Sequence, residues 1–333
     1  MGQRKGRCAA AGHPPAHALQ AEGCTLKGMQ GAAAKPWAES AAARYNAWVT
    51  PDRVLTFLRR LVRLSRFALH LLWGMTLAAG VFPLVSHARR DSLIRNWSRQ
   101  MLGVLGLKVR VERAPPHPGG ALLVCNHVSW LDIYLIHAAQ RVHFVSKSEV
   151  RDWPVAGWLA HKTGTLFLDR RRRADTARVN AAMRELMQEG AWVAVFPEGT
   201  TGDGISLRRF MPSLLQPAVE LGCPVVPAAL RYRTPAGDIC AAPAYIGDIS
   251  MGQSLMQIVS EPAIVAELRF GESIAASGHR RELAAQAETE VARLLGVAAA
   301  GNLPETPAGL PASPPSASRP TGSPYPAQSG RDE

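Results

Sequence analysis

The chain has 333 residues, enough for one large domain or two small ones with a core that needs no disulfide or metal support. Its formal net charge of +12 implies a polyanionic partner or surface. The basic stripe, zinc-finger spacing and ribonucleoprotein signature of nucleic-acid-binding domains are all missing, so we expect no nucleic-acid partner and favour an anionic membrane surface. The five cysteines are scattered without a CxxC pair, which is typical of reduced thiols facing the cytoplasm and excludes a disulfide framework.

Both ends of the chain have compositions typical of disorder. Residues 1–50 are rich in Ala, Gly and basic residues without a sustained apolar period, which predicts a disordered arm. The arm also lacks the apolar stretch and cleavage site of a secretory signal. Residues 299–333 contain repeated prolines among Ser, Ala and Gly, which predicts a disordered Pro/Ser-rich tail.

Residues 51–103 are predicted to form amphipathic and membrane-associated helices. From Val54 onward, apolar residues recur on one helical face, and Leu58 and Leu61 continue that face. Arginines supply the remaining surface: Arg53, Arg59, Arg60, Arg63 and Arg66. A basic amphipathic helix of this kind suits an anionic lipid interface.

The next run, Phe67–Val85, is almost wholly apolar and close to the roughly 20 residues that span a bilayer. Arginines flank it on both sides, so the positive-inside rule gives no orientation. Gly74, Gly80 and Pro83 also fit a helix that enters one leaflet and returns. A single span, a re-entrant or interfacial hairpin and a buried soluble helix therefore all stay open.

Residues 104–298 are predicted to form an α/β domain with a mainly parallel sheet flanked by helices, because apolar strand-length runs alternate with helical patterns. The clearest helix is Thr176–Gln188, with one apolar side and Gly190 at its end. The predicted strands are Leu107–Val111, Ala121–Cys125, Val142–Val145, Thr165–Leu168, Trp192–Phe196, Val225–Leu230 and Ile264–Phe270.

The most informative stretch is Asn126–Asp132, at the junction between a predicted strand and a predicted helix. His127 has a pKa range suited to proton transfer, and Asp132 lies about one helical turn further on. A carboxylate at that spacing can hold the imidazole in one tautomer and orientation. The pair therefore has the minimum composition of a general base.

Three further stretches place polar groups near strand ends, where α/β sheets bind ligands. Val195–Gly204 contains Pro-Glu-Gly, which also occurs in plain turns. Gly164–Arg173 ends in four arginines, of which Arg170 directly follows a strand and has the fork geometry that grips phosphate. Val145–Gly157 contains Lys147 after another strand.

Taken together, these stretches resemble the lysophospholipid acyltransferase family, in particular the bacterial 1-acylglycerol-3-phosphate acyltransferases. Asn126 to Asp132 is similar to the family's NHxxxxD block, Gly164 to Arg170 to its second block, and Phe196 to Thr200 to its FPEGT block. Val225–Pro227 is similar to its fourth, apolar block. The resemblance extends over roughly residues 105–235, and the order and spacing of four blocks make it specific.

The resemblance implies a glycerolipid acyltransferase-like fold at the cytoplasmic face of a bacterial inner membrane. It implies that His127 removes a proton from the free hydroxyl of a lyso-lipid, that Asp132 orients the histidine, and that the hydroxyl attacks acyl-coenzyme A or acyl-carrier protein without an acyl-enzyme. No cofactor and no metal are required. The substrate-binding residues that it implies are Arg170, Glu198, Gly199, Thr200 and Lys147, with supporting positions at Asn126, Gly164, Phe196, Pro197 and Pro227. Amides around Gly199 would hold the oxyanion, and Pro227 would shape the acyl site.

One position departs from the family pattern. Many members have an arginine directly after the FPEGT block, where this chain has Thr201. The missing cation makes a lyso-lipid with another head group, such as lyso-ornithine lipid, an alternative acceptor. The run Arg171–Arg173 is a candidate replacement for the charge.

Other classes of function fit the sequence less well. A hydrolase needs a nucleophile elbow, and Ser129 has no GxSxG around it. A metal site built from His127, Asp132 and His137 fails because steps of five residues do not keep three side chains on one helical face. A non-catalytic membrane-docking scaffold explains the basic helix and the apolar run but not the four blocks.

Overall fold

A computed structural model describes residues 51–112, 119–169 and 171–299. The predicted arm and almost all of the predicted tail lie outside these residues, as does Arg170. The chain divides into two units, and the larger begins at Thr56. Of the smaller unit, the described residues Pro51–Leu55 are helical.

The centre of the larger unit is a seven-stranded sheet in the order β1-β7-β6-β2-β5-β3-β4. Neighbouring strands pair in parallel except β6 and β7, which are antiparallel. The strands are β1 Leu107–Glu112, β2 Ala121–Cys125, β3 His143–Lys147, β4 Leu166–Leu168, β5 Trp192–Val195, β6 Val225–Arg233 and β7 Ile264–Phe270. The predicted mainly parallel sheet is therefore correct, and five adjacent strands present their carboxyl ends at one edge.

Helices cover both faces of the sheet, so its central strands are buried on both sides and consist of nearly continuous apolar residues. The helices are α1 Pro51–Thr76, α2 His87–Val104, α3 Asp132–Ala139, α4 Ala156–Lys162, α5 Arg173–Gln188, α6 Gln216–Leu221, α7 Met251–Ser260 and α8 Arg280–Leu295. Apolar side chains of α2, α3 and α7 pack on one face, which we call face A. Those of α5, α6 and α8 pack on the other, face B.

Two predicted strands, β2 and β7, match the observed bounds, and the other five differ by one to three residues at their ends. The largest difference is in β6, which was predicted to end at Leu230 and continues to Arg233. Alternate residues of this extension stay on face A, where Leu230 and Tyr232 are both buried. The extension brings Tyr232 beyond the end of β2 and into the candidate site.

The apolar run Phe67–Val85 is not one continuous α-helix. Helix α1 ends at Thr76, a π-helical turn and a 3₁₀ turn follow over Leu77–Leu84, and α2 begins at His87. The two helices are tied by reciprocal bonds: His70 Nε2 lies 3.0 Å from the Trp97 carbonyl, and Trp97 Nε1 donates to the His70 carbonyl at 3.1 Å. Their rings stack at 5.0 Å, and Gly74 leaves the space that the indole occupies.

Three arginines of α1, Arg59, Arg60 and Arg63, are directed toward the protein, whereas Arg53 and Arg66 are exposed. Arg59 donates to the Ser260 carbonyl at 2.8 Å, and Arg63 donates to the Glu261 carbonyl at 2.6 Å and the Pro262 carbonyl at 3.0 Å. These carbonyls lie at the end of α7, where backbone acceptors lack intrahelical partners and cations are favoured by the helix dipole. The arginines therefore stabilise a helix end.

The opposite side of α1 is an exposed apolar stripe. It consists of Phe57, Leu58, Leu61, Val62, Leu69, Leu72 and Trp73, each about half exposed or more. At 3.6 residues per turn these positions share one side of the helix. By length and composition, Asp52–Leu84 is the one stretch among the described residues that is apolar enough to cross a membrane. Its exposure argues against a buried soluble helix and suggests attachment to a membrane.

Candidate active site

The candidate site lies where β6, β2 and β5 end side by side. Asn126 joins two of these ends: its Nδ2 donates to the Leu230 carbonyl at 3.1 Å, and its Oδ1 accepts from the Leu230 N–H at 2.7 Å. The amide thus extends the β2–β6 ladder by one pair of bonds after β2 has ended. Asn126 is buried, so its part in the site is to fix where the chain turns toward His127.

His127 and Asp132 form the predicted pair. His127 Nδ1 lies 2.8 Å from Asp132 Oδ2, and the same oxygen accepts from the N–H groups of Val128 at 2.7 Å and Ser129 at 3.0 Å. Because an ionised carboxylate only accepts, the hydrogen lies on Nδ1 and Nε2 is the basic nitrogen. The Asp132 side chain is 0% exposed and that of His127 is 21% exposed. Solvent and substrate therefore reach the imidazole but not the carboxylate.

The imidazole has a second constraint from the FPEGT block. The Phe196 ring stacks on it with centroids 4.0 Å apart and an interplanar angle of 9°. Phe196 follows β5 directly and stacks in turn on Phe144 of β3. A flat apolar wall on one side of the ring limits water access and leaves the opposite side for a reacting hydroxyl.

Glu198 acts on the backbone around the histidine. Its Oε1 accepts from the His127 N–H at 2.7 Å, and its Oε2 accepts from the Arg208 N–H at 3.0 Å. Burial raises the pKa of this carboxyl to about 7, and the two backbone hydrogen bonds oppose that shift. Both carboxylate oxygens hold the protein chain, which differs from the phosphate contact implied by the family resemblance.

The turn after β5 is bound closely to the histidine loop. Gly199 has a φ of +75°, a conformation that glycine adopts without strain, and its N–H donates to the Phe196 carbonyl at 3.1 Å. That N–H is thus occupied within the turn, and only amides beyond it suit the expected oxyanion role. The Pro197 carbonyl accepts from Met211 at 2.9 Å. Gly202 donates to the His127 carbonyl at 2.7 Å.

Thr200 and Thr201 have different surroundings. Thr200 is exposed at the edge of the site. The Thr201 hydroxyl donates to the Tyr245 carbonyl, and the Tyr245 N–H donates to the Val128 carbonyl at 2.9 Å. Thr201 therefore joins the loop after β5 to the segment around Tyr245, which in turn holds the histidine loop, and Thr201 supplies no positive charge.

The remaining predicted residues lie at different distances from His127 along the sheet. Lys147 is exposed at the carboxyl end of β3, on the same edge. Gly164 precedes β4 and so lies at the opposite edge, where its φ of +81° and the His143 ring leave no room for a side chain. Pro227 is buried within β6 beside Val124, on face B by strand alternation, whereas Tyr232 is on face A. Arg170 is outside the described residues.

Two contributors to the site were missed from the sequence. Tyr232 donates its hydroxyl to Asp132 Oδ1 at 2.6 Å, across 100 positions of the chain. The Arg208 N–H donates to Glu198, and the positive charge of the Arg208 side chain lies close enough to lower the pKa of that carboxyl. Alternation of apolar residues through Val226, Ala228 and Leu230 was the signal that could have extended β6 to Tyr232.

The alternative chemistries find little support at this site. The Ser129 side chain is fully buried and its hydroxyl accepts from the Leu131 N–H at 3.3 Å, so it is closed to a substrate. Within residues 51–112, 119–169 and 171–299, no group of three His, Cys, Asp or Glu side chains is placed to hold a metal ion.

An open groove begins two residues beyond Thr201, at Asp203. It has a volume of about 700 Å³ and lies between the loop after the FPEGT block, the segment around Ala244 and helix α7. Its lining is mainly apolar and includes Ile205, Ile246 and Met256. Two carboxylates, Asp203 and Asp248, also line it.

The mixed α/β sheet, the helical hairpin before it and the His–Asp pair at the strand ends agree with the acyltransferase class that the sequence resemblance implies. The acyltransferase family model matches residues 106–231. The chain is 35% identical to 1-acyl-sn-glycerol-3-phosphate acyltransferase of Neisseria meningitidis serogroup B over 65% of its length and 84% of that protein. It is 40% identical to lyso-ornithine lipid O-acyltransferase of Pseudomonas aeruginosa, over 64% of this chain and 80% of that one.

A solved structure has the same fold. The 1-acyl-sn-glycerophosphate acyltransferase of Thermotoga maritima superposes with a TM-score of 0.58 at 20% identity, over 74% of this chain and 96% of that one. The chain belongs to the lysophospholipid acyltransferase family and is an O-acyltransferase. The family resemblance in the sequence is thereby confirmed, and the non-catalytic scaffold is set aside.

Proposed function

We propose that this protein transfers an acyl group from acyl-coenzyme A or acyl-carrier protein to the free hydroxyl of 1-acyl-sn-glycerol-3-phosphate, giving phosphatidic acid. The observation on which the proposal rests is the pair formed by a reachable His127 and a closed Asp132, 2.8 Å apart. The relative from Neisseria has this acyltransferase name. The thioester is a co-substrate, and the proposal includes no cofactor.

In the proposed reaction, His127 Nε2 removes the proton from the acceptor hydroxyl as its oxygen attacks the thioester carbonyl carbon. The new C–O bond forms and the C–S bond breaks, and the imidazolium returns the proton to the departing thiolate. Asp132 stabilises the imidazolium through Nδ1. A thioester is already activated, so positioning and one base are sufficient, and the base contributes about 10²–10⁴-fold in rate. The amides of Thr200 and Thr201 are the proposed oxyanion donors.

Phosphate binding is assigned to the cations around this edge. Arg208 is held beside Glu198, within the loop that follows the FPEGT block. Lys147 and Arg170 are the other proposed contacts, in line with the family resemblance. We propose Arg208 as a candidate for the missing charge beside Arg171–Arg173, because its backbone is bonded to the same carboxylate as that of His127.

A second acceptor, lyso-ornithine lipid, is favoured by the groove. An ornithine head group has an ammonium as well as a carboxylate, and the groove presents Asp203 and Asp248 beside its apolar lining. Hydrogen bonds led by the Ser206 N–H lower the pKa of Asp203, which keeps it charged at neutral pH. Thr201 supplies no competing cation. The Pseudomonas relative is named for this acceptor.

The proposed location is the bacterial inner membrane, with the catalytic domain facing the cytoplasm. The exposed apolar stripe of α1 supports attachment to lipid, and the free cysteines Cys125, Cys223 and Cys240 suit a reducing compartment. Membrane lipids and the thioester donor are the proposed partners.

The test is an acyl-transfer assay with membranes that contain the full chain. We expect transfer from a thioester donor to a lyso-lipid, and we expect His127→Ala to abolish it while the protein stays folded and membrane-bound. His161→Ala, at an exposed position of helix α4, is the matched control and should leave transfer unchanged. Activity retained by His127→Ala would refute the assignment of the base.

The same assay separates the two acceptors. Lysophosphatidate and lyso-ornithine lipid are compared at equal donor concentration, with and without Asp203→Asn and Asp248→Asn together. If the groove binds an ammonium, the double variant loses transfer to lyso-ornithine lipid and keeps transfer to lysophosphatidate. An equal loss with both acceptors would assign these carboxylates a purely structural part.

A further inference from the structure

We infer that Tyr232 is a positioning residue for the catalytic base: its hydroxyl fixes the orientation and the charge of Asp132, and through Asp132 it sets the proton affinity of His127. The inference rests on the proposed function and adds to it a residue outside the four sequence blocks. Tyr232 touches neither substrate nor imidazole, so it acts only through the carboxylate.

The two oxygens of Asp132 have different partners. Oδ2 accepts from His127, Val128 and Ser129, all within one short loop. Within the part of the chain that the structure describes, the one hydrogen bond to Oδ1 comes from Tyr232, at 2.6 Å. Three bonds from a single loop leave the carboxylate able to turn about its own axis. A bond to the other oxygen, from a strand, fixes the plane of the group.

Tyr232 is rigidly held in the sheet. It lies on β6 opposite Ala266 of β7, is 2% exposed, and its carbonyl accepts from the Cys240 N–H at 3.0 Å. Burial first, and then the neighbouring Asp132, raise the pKa of its phenol, so the hydroxyl stays protonated and donates. A site group held by a strand is placed more precisely than one held by a loop.

The chemical consequence follows from charge. A buried carboxylate with a donor on each oxygen has its charge spread over charge-assisted hydrogen bonds. Without the phenol, more of that charge acts on the imidazolium, which raises the proton affinity of His127 and makes it a base only at higher pH. A further titratable group that faces this carboxylate is Cys125 on β2, which also lies near Glu198. Burial raises the pKa of the Cys125 thiol, so it stays neutral.

The experiment measures kcat/KM against pH for the full chain in detergent or membranes, with Tyr232→Phe as the variant. We expect a fall in kcat of about 10-fold or more, since a hydrogen bond to a charged group is removed. The KM values for donor and acceptor should stay within about twofold, because neither touches the phenol. The acid limb of the profile should move to higher pH.

Tyr134→Phe is the matched control. Tyr134 is a partly buried tyrosine on face A, and it packs against Trp97 and Trp130 rather than Asp132. This variant removes a hydroxyl of the same kind and should leave the acid limb in place. A replacement of Tyr232 by 3-fluorotyrosine keeps the shape of the ring and strengthens the donor, so it should move the limb to lower pH. It also tests the inference if Tyr232→Phe fails to fold.

The outcomes distinguish this inference from the proposed function. Opposite movements of the limb in the phenylalanine and fluorotyrosine variants support it. A loss of kcat with an unmoved limb in both would assign Tyr232 a purely structural role, and wild-type behaviour in both would also overturn the inference. Activity retained by His127→Ala, in contrast, would overturn the proposed base and leave the Tyr232–Asp132 contact without a catalytic consequence.

Discussion

At the scale of single residues, the site depends on where hydrogen-bond donors are directed. Asp132 receives donors from its own loop and from β6, and Glu198 receives the N–H groups of His127 and Arg208. The Asp132 carboxylate thereby links its own loop to β6, and the Glu198 carboxylate links the histidine loop to the loop around Arg208. Substitutions that keep the shape but change the charge should separate orientation from packing.

The variant Asp132→Asn keeps the side-chain size but turns an acceptor into a mixed donor and acceptor. Either the backbone N–H groups or His127 Nδ1 then meets an amide N–H, so the imidazole loses its required tautomer. We expect a fall in kcat by about 10²–10⁴-fold, the range of general-base catalysis. The measurement is single-turnover transfer from a thioester donor. A fall below tenfold would mean that His127 needs no orienting acid.

Glu198 gives a prediction about pH and stability. Burial raises its pKa from 4.5 to about 7, so the folded chain holds a proton that the unfolded chain has already lost between these values. Stability from this group is therefore fully present below 4.5 and is lost as the pH rises to 7. In Glu198→Gln the fall in unfolding free energy over that window should be smaller than in the wild type. Urea titrations at pH 4.5 and at about pH 7 measure this change in the free energy of unfolding.

The control for this titration is Glu282→Gln on helix α8, an exposed carboxyl far from the site. It should leave the pH dependence of the wild type unchanged. A pH dependence that is the same in Glu198→Gln and the wild type would show that the buried carboxyl is not the group that titrates.

At the scale of elements, the order of strands brings the blocks together. β2 lies between β6 and β5, so the segments after all three strands meet although they are far apart in sequence. Beyond the last backbone pair, the Asn126 side chain joins the ends of β2 and β6 directly. The Asn126 amide makes the two hydrogen bonds that a backbone residue of β2 would make if the strand continued.

The variant Asn126→Ala should therefore destabilise the site edge. It leaves the buried N–H and carbonyl of Leu230 without their partners, and each unsatisfied group costs about 1–3 kcal/mol. We expect a lower urea midpoint and faster amide hydrogen exchange at Leu230 than at the centre of β6. Gln140→Ala, at the end of helix α3, is a control of similar size. Wild-type stability in Asn126→Ala would show that water replaces the amide.

At the scale of the whole molecule, two opposite surfaces of α1 have separate tasks. Arg59 and Arg63 bind the end of α7, and the apolar stripe faces outward. The catalytic edge and this stripe belong to one chain whose substrate is a lipid. Attachment and chemistry should therefore be separable by mutation.

The double variant Leu69→Glu with Leu72→Glu places two charges on the stripe, where both side chains are exposed. We expect the protein to leave liposomes in a flotation assay, because charges in the hydrocarbon region are costly. Transfer to a short-chain, soluble lyso-lipid should persist. Val111→Glu with Ile239→Glu, at exposed positions outside α1, is the control that should still float. Flotation of the α1 variant would refute the membrane role of the stripe.

The sequence by itself determined the α/β class, the approximate bounds of all seven strands and the place of His127 and Asp132. Hydrophobic periodicity and turn residues are local signals, and the spacing within Asn126–Asp132 is local too. These features can be predicted from the sequence because the interactions that produce them act between residues only a few positions apart.

Only the tertiary structure decided which side of α1 faces the protein, that Glu198 holds two backbone N–H groups, and that Tyr232 reaches Asp132. Apart from the Arg208 N–H, which is 10 positions from Glu198, these contacts join residues that are about 70 to 200 positions apart. The arginine spacing in α1 is the same whether the arginines face solvent or the protein. Arg63 faces the protein because backbone carbonyls at the end of α7, much later in the chain, lack intrahelical partners. The sequence around α1 does not indicate this partner, because the two segments come together only when the chain folds.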